Sequence, residues 1–133
     1  MELVFDFKEE LSGIFGKILR PVAYVVLING DIKVPEYVYV DSGADITLIS
    51  KSVGEILGFK VSDNDKIEEI KGIGERSVPL VIKSINMQIG EKVFQTRIGW
   101  ALIEEVPLLL GRIDVFSFFD ICFQKNEKTF FRH

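Results

Sequence analysis

A chain of 133 residues fits one domain, since two lobes with separate cores would need more. Hydrophobic residues make up 47% and charged residues 27%, the balance of a globular chain and not of a disordered one. The formal net charge of -4 lacks the basic footprint of a nucleic-acid binder, and no run of 18 apolar residues is present to span a membrane. Cys122 is the sole cysteine, which rules out an intrachain disulfide; its setting, Ile121-Cys122-Phe123, predicts a core or interface residue. The start, Met1-Glu2-Leu3-Val4-Phe5-Asp6, lacks the basic and long apolar segments of a signal peptide, so the expected location is cytoplasmic. Eleven Phe is high for this length, and some are expected at a subunit interface.

In chain order, Leu3 to Phe7 alternates and predicts a short strand. Glu10 to Leu19 carries Leu11, Ile14, Phe15, Ile18 and Leu19 at helical spacing, but Gly13 and Gly16 each cost roughly 1 kcal/mol in a helix. A loop with at most a helical turn is expected there; an amphipathic membrane helix is the sharper alternative, opposed by the same glycines. Pro21 to Ile28 is a continuous apolar run, Asn29-Gly30-Asp31 is hairpin chemistry, and Glu36 to Val40 is the returning strand. Ile46 to Ile49 reads as a short strand. Ser50 or Ser52 then N-caps a helix through Leu57, with a capping-box pattern in Ser52-Val53-Gly54-Glu55 and Gly58 as its stop.

Asp63 to Lys66 is a polar loop and Ile67 to Ile70 a strand. Lys71-Gly72-Ile73-Gly74-Glu75 is either a mobile hairpin tip that holds an apolar side chain outward or a plain glycine-rich turn. Its return strand, Ser77 to Ile82, runs on towards Gln88. A turn at Ile89-Gly90-Glu91-Lys92 leads into a strand from Val93 to Ile103 that contains Trp100, and Glu104-Glu105 is a solvated loop. Val106-Pro107-Leu108-Leu109-Leu110-Gly111-Arg112 is buried on both faces or lines a hydrophobic groove. Ile113 to Phe118 suggests one or two helical turns, Asp120 to Gln124 a strand, Lys125 to Lys128 a turn, and Thr129 to Arg132 a last edge strand. The sum is an all-β fold, a small closed or partly open barrel with one or two short helices. A single domain spans residues 1–133, with an N-terminal strand and loop (1–19), a core (20–124) and a C-terminal strand extension (125–133).

One stretch bears chemistry. Tyr37-Val38-Tyr39-Val40 has the composition of a buried strand, and it ends on Asp41, followed by Ser42-Gly43. A carboxylate in that place is costly unless something pairs it or uses it. On these residues alone, an Asx-type turn in which Asp41 caps its own backbone competes with a catalytic acid.

Three separated features, Val40-Asp41-Ser42-Gly43-Ala44, Gly72-Ile73-Gly74 and Leu109-Leu110-Gly111-Arg112, together resemble the retropepsin-like aspartic proteases, single-lobed relatives of pepsin. Arg20-Pro21 and Asp45 also look like the retroviral members. The resemblance covers about Arg20 to Phe123. It implies peptide hydrolysis by two carboxylates that share one proton across a water, one acting as base and the other donating to the scissile carbonyl. Only one Asp-Ser-Gly is present, so it implies a homodimer with Asp41 from each chain at a two-fold axis. By the same resemblance Ser42, Gly43 and Ala44 form the active-site loop, and Ile73 is a flap tip between the hinges Gly72 and Gly74. Leu109, Leu110 and Ile70 line apolar side-chain pockets. Asp45 binds substrate backbone and pairs with Arg112, with Arg20 of the partner nearby. No metal, organic cofactor or nucleic acid is implied, and the substrate is an extended or unfolded polypeptide.

The chain departs from the viral pattern in three places. Lys71 and Glu75 charge the flap, Ile113-Asp114 follows Gly111-Arg112 where a polar residue is usual, and the tail past Phe123 is longer. Together with Leu3 to Phe7, that tail can build a different dimer interface. Two other readings compete: a catalytically inactive dimeric peptide-binding module of the same fold, and a metal or phosphate site on Asp41 and Asp45. The second lacks a nearby histidine, since His133 is terminal.

Overall fold

The structure is a computed structural model that describes every residue except Ile73 and Glu75. At its centre is a barrel. Strand β4 (Val22–Asn29) turns back through Gly30 into β5 (Ile32–Val40), as Asn29-Gly30-Asp31 predicts. Gly30 takes a φ of +60, the left-handed region that glycine enters without steric cost. The ladder passes from β5 to β10 (Leu109–Leu110), β6 (Thr47–Ile49), β9 (Lys92–Ala101) and β8 (Ser77–Ile89). Strand β8 then closes on β4 through Val26↔Gln88, Leu27↔Met87 and Ile28↔Asn86. Six strands complete the ring, and β7 (Ile67–Lys71) extends it from β8 as a seventh. The expected small all-β barrel is what the chain forms, with a single short helix among the described residues.

Alternation fills the interior. Ala23, Val25 and Leu27 of β4 are fully buried while Tyr24 between them is exposed, and Val38, Met87, Ile89, Ile98 and Trp100 meet them from the other strands. Each large side chain so buried contributes roughly 1.5–3 kcal/mol of transfer free energy. Helix α1 (Lys51–Ile56) plugs one side. Its N-cap is Ser50, whose hydroxyl accepts the Val53 N–H. Ser52 does not close the expected capping box with Glu55; its hydroxyl and N–H are taken by Glu104, at 2.5 and 2.8 Å. Gly54 sits flat on the Trp100 indole, where an added Cβ would lie 2.7 Å from Cε2.

Four expectations change. Glu10 to Leu19 is neither loop nor helix but most of a two-stranded hairpin, β2 (Lys8–Ser12) with β3 (Gly16–Arg20), in the register Glu10↔Ile18 and Leu11↔Lys17. Gly16, at a φ of +69, permits the reversal, and the reversal makes apolar spacing that imitates a helix. Residues 113–118 form tight turns, with Val115 and Phe116 both donating to the Arg112 carbonyl, and no second helix. Strand β12 (Lys128–Arg132) is not an edge: it lies between β1 (Glu2–Asp6) and β11 (Asp120–Gln124) and buries Phe131 against Phe5 and Phe119. Cys122 on β11 is exposed, which removes the core from the core or interface position expected for it. Among the described residues no helix is long and apolar enough to cross a membrane.

Candidate active site

Strand β5 delivers Asp41 to a fixed point. Val40 donates to the Pro21 carbonyl at 3.0 Å, and Asp41 donates to the Leu110 carbonyl at 3.1 Å, so the carboxylate emerges between β4 and β10. The chain then reverses: Ala44 N–H meets the Asp41 carbonyl at 3.2 Å, and Gly43 N–H donates to Asp41 Oδ1 at 2.9 Å. Asp41 therefore does make the Asx-type turn. That turn fixes the carboxylate's rotamer without consuming it, because a carboxylate has about four acceptor sites and the turn uses one. The turn is compatible with chemistry and does not compete with it. A Cβ at Gly43 would stand 3.2 Å from Oδ1, so glycine also lets the backbone come this close.

A second loop braces the first. Gly111 N–H donates to the buried Thr47 hydroxyl at 3.1 Å, Arg112 N–H to the Ala44 carbonyl at 3.0 Å, and Ile113 N–H to the Asp45 carbonyl at 2.8 Å. The Arg112 guanidinium donates to the Ser42 carbonyl at 2.6 Å and forms an ion pair with Asp45. Both charges are largely exposed, so the pair contributes modestly to stability; its effect is to fix the two loops relative to each other. Asp114, one of the departures noted above, has a use here. Its carboxylate takes the Arg97 Nε and Nη2 at 2.8 and 3.1 Å, a two-pronged contact that ties the second loop to β9. The Arg97 hydrogen bonds hold Asp114 below the usual carboxylate range and raise Arg97 in turn.

Asp41 lies on the wall of a cavity of about 460 Å³ shared with Tyr39, Leu109, Pro107, Arg20 and Glu10. The two leucines of β10 part company: Leu109 faces this cavity, whereas Leu110 is fully buried in the core and is not a pocket wall. Ile70 is half-buried and packs with Leu109, Val78 and Val106 around Leu48 and Leu80. Gly72 and Gly74 are exposed in the loop that joins β7 to β8, and Ile73 lies outside the described residues.

Sequence reasoning missed Glu10 and Tyr39. Tyr39 donates its hydroxyl proton to the Glu10 carboxylate, which Arg20 Nε also approaches at 3.3 Å. That acceptor, with burial and the Glu10 charge adding to it, holds the Tyr39 hydroxyl above its ordinary range, while Arg20 opposes the shift. Arg20 thus has a partner within its own chain. No local pattern announces a contact 29 residues apart in sequence. Among the described residues, no three His, Cys, Asp or Glu side chains cluster as a metal site would require.

No protein-family model matches the sequence, and no curated protein matches it. Solved structures do. A retropepsin-like aspartic protease from Rickettsia conorii superposes over 98% of this chain and 90% of its own, with a TM-score of 0.65 at 18% identity. The protease of EIAV, solved with an inhibitor bound, superposes over 80% of this chain and 90% of its own, with a TM-score of 0.52 at 20% identity. At such identities the likeness is one of architecture. The fold of this chain is that of the retropepsin-like aspartic proteases.

Proposed function

We propose that the protein is an aspartic endopeptidase that works as a two-fold homodimer, each chain giving one Asp41 to a shared water. The observation that carries the reading is the placement of Asp41, at a strand end beside an open cavity, held by the Gly43 N–H and framed by the Arg112-braced loop. One carboxylate takes a proton from the water as its oxygen bonds to the scissile carbonyl carbon, and the protonated partner gives its proton to the carbonyl oxygen. The C–N bond of the resulting gem-diol then breaks as the carboxyl that took the water proton gives it to the amine nitrogen and a gem-diol hydroxyl gives its own proton to the other carboxylate. This leaves an acid, an amine and a pair that again holds one proton. Two carboxylates about 3 Å apart do not both ionise, so the pair titrates in two steps, and activity requires the singly protonated state. The expected profile is therefore acidic.

Substrate is an extended or unfolded polypeptide, bound as an added strand beneath the β7–β8 hairpins, with Gly72 and Gly74 as hinges that shut out water. Leu109 and Ile70 favour apolar side chains on either side of the cleaved bond. Asp45, which Arg112 steadies, accepts substrate backbone N–H groups in this reading. The chemistry calls for no metal or organic cofactor, and a cytoplasmic setting fits the single cysteine.

The test is cleavage of denatured casein between pH 3 and 7 by the wild type and by Asp41→Asn, with and without EDTA. The reading expects cleavage that is lost in the variant and indifferent to chelator. Equal residual cleavage by both proteins overturns it. Binding of extended peptides without any cleavage by the wild type would favour an inactive peptide-binding dimer.

A further inference from the structure

We propose that the β2–β3 hairpin is a dimerisation arm, which docks on a second copy of this chain beside Asp41 and brings the two half-sites together. The inference rests on the dimeric reading above, and three observations support it.

The hairpin is bare where it projects. Leu11 and Ile14 are each 84% exposed and Phe15 is 77% exposed, the highest values among the large hydrophobic residues described. Contiguous apolar surface of this kind marks a contact site. The register puts Leu11 opposite Lys17 and Glu9 opposite Leu19, so the outward face carries two leucines and the Glu9–Lys17 ion pair, at 3.4 Å. A two-fold contact requires a self-complementary patch, and this one holds apolar surface with one charge of each sign. An isolated two-stranded hairpin is marginal in water, so an arm that keeps its shape gains from a cover.

The base of the hairpin belongs to the rim of the site. Tyr39, on β5 two residues before Asp41, donates to Glu10 of β2, and Arg20 of β3 pairs with Glu10 and lies 5.8 Å from the Tyr39 ring centroid. Glu10 and Arg20 line the cavity that Asp41 lines. The arm is therefore oriented by the strand that orients the carboxylate.

The occupant follows from the half-site. Two carboxylates that share a proton stand about 3 Å apart, so the second chain abuts this same rim. Five-residue strands at about 3.3 Å per residue carry the tip on the order of 15 Å beyond its base, far enough to lie along that second chain. The chain termini are otherwise engaged: β1, β12 and β11 pair with one another, and the Met1 ammonium donates to the His133 carbonyl.

Sedimentation velocity over a wide concentration range tests the arm, with the combined variant Leu11→Ser, Ile14→Ser, Phe15→Ser. The expected result is a wild-type dimer and a variant whose dissociation constant is raised roughly tenfold or more. Its casein cleavage should be lost at low protein concentration and restored at high concentration, with kcat per dimer unchanged. Circular dichroism establishes that the variant is folded. As a second line, Glu9→Lys alone should weaken the dimer, and adding Lys17→Glu should restore it. A variant that dimerises as tightly as the wild type overturns the arm, as does a wild type that stays monomeric. A hairpin that binds phosphatidylcholine vesicles while the chain remains monomeric overturns it in favour of a membrane contact. A dimer weakened by the triple change in a protein that cleaves nothing would keep the arm and end the peptidase reading. Undiminished cleavage by an equally tight variant dimer would do the reverse.

Discussion

Gly111 passes so close to Ile46 that a β-carbon on it would stand 2.5 Å from the Ile46 carbonyl oxygen and 2.8 Å from the Thr47 nitrogen. Both obstacles are backbone and neither can swing aside. This crossing lies under the loop that carries Asp41, and it explains why glycine follows the two leucines of β10. Gly111→Ala is expected to destabilise the fold by about 1–3 kcal/mol, the usual range for overpacking a tight interior. Urea unfolding checks the figure, and activity measured well below the midpoint should fall as well, because the second loop is displaced.

Arg112 should behave differently. Its ion pair with Asp45 is mostly exposed, so Arg112→Lys is expected to cost no more than about 1 kcal/mol of stability. The planar guanidinium, however, reaches both the Ser42 carbonyl and Asp45, and an ammonium cannot reproduce that fork. Cleavage rate should therefore drop while the unfolding midpoint barely moves. Comparable small losses in both would mean that the brace is dispensable.

Tyr39→Phe removes the proton donated to Glu10 and leaves Glu10 with Arg20 alone. The expected cost is about 1 kcal/mol, a typical net value for one hydrogen bond. Amide exchange should quicken across Lys8–Arg20 while β8 and β9 keep their protection. Uniform quickening across the barrel would show that the contact holds more than the hairpin.

Stability should fall on the acid side for a definable reason. Asp114 is lowered by its hydrogen bonds from Arg97, Asp65 by the Ser62 N–H and Lys83, and Glu104 by Ser52. A carboxylate depressed in the folded chain adds stability that is whole above its unfolded value, about 3.9 for Asp and 4.3 for Glu, and is lost as pH falls through the folded one. Glu36 is raised by burial and runs the other way, costing stability above its raised value and none below its unfolded one. The unfolding free energy should thus be nearly level from about pH 6 to 7 and decline below about pH 4. Asp114→Asn should flatten part of that decline in urea titrations, and an unchanged slope would discount the Arg97 contact.

The sequence made the barrel legible wherever one residue type has one reason to be present. Asn29-Gly30 marks the β4–β5 turn, Asp41-Ser42-Gly43 marks the reversal at the strand end, and Ser50 caps the helix. It misled where a pattern had two causes. Leu11, Ile14, Phe15 and Ile18 keep a helical spacing only because a hairpin turns between them. It was silent on contacts made by folding alone: Tyr39 with Glu10, Arg97 with Asp114, and β12 between β1 and β11. Leu109 and Leu110 look alike in sequence, and only the pleat sends one to the cavity and the other to the core.

The first and last residues stand side by side, with Met1 donating to the His133 carbonyl and His133 N–H to the Met1 carbonyl, at 3.1 and 3.0 Å. Anything joined to either end of this stretch, in nature or in the laboratory, leaves through a single doorway. A tether that connects the two ends would need to bridge only a few ångströms, and a bulky fusion at one end would crowd the other.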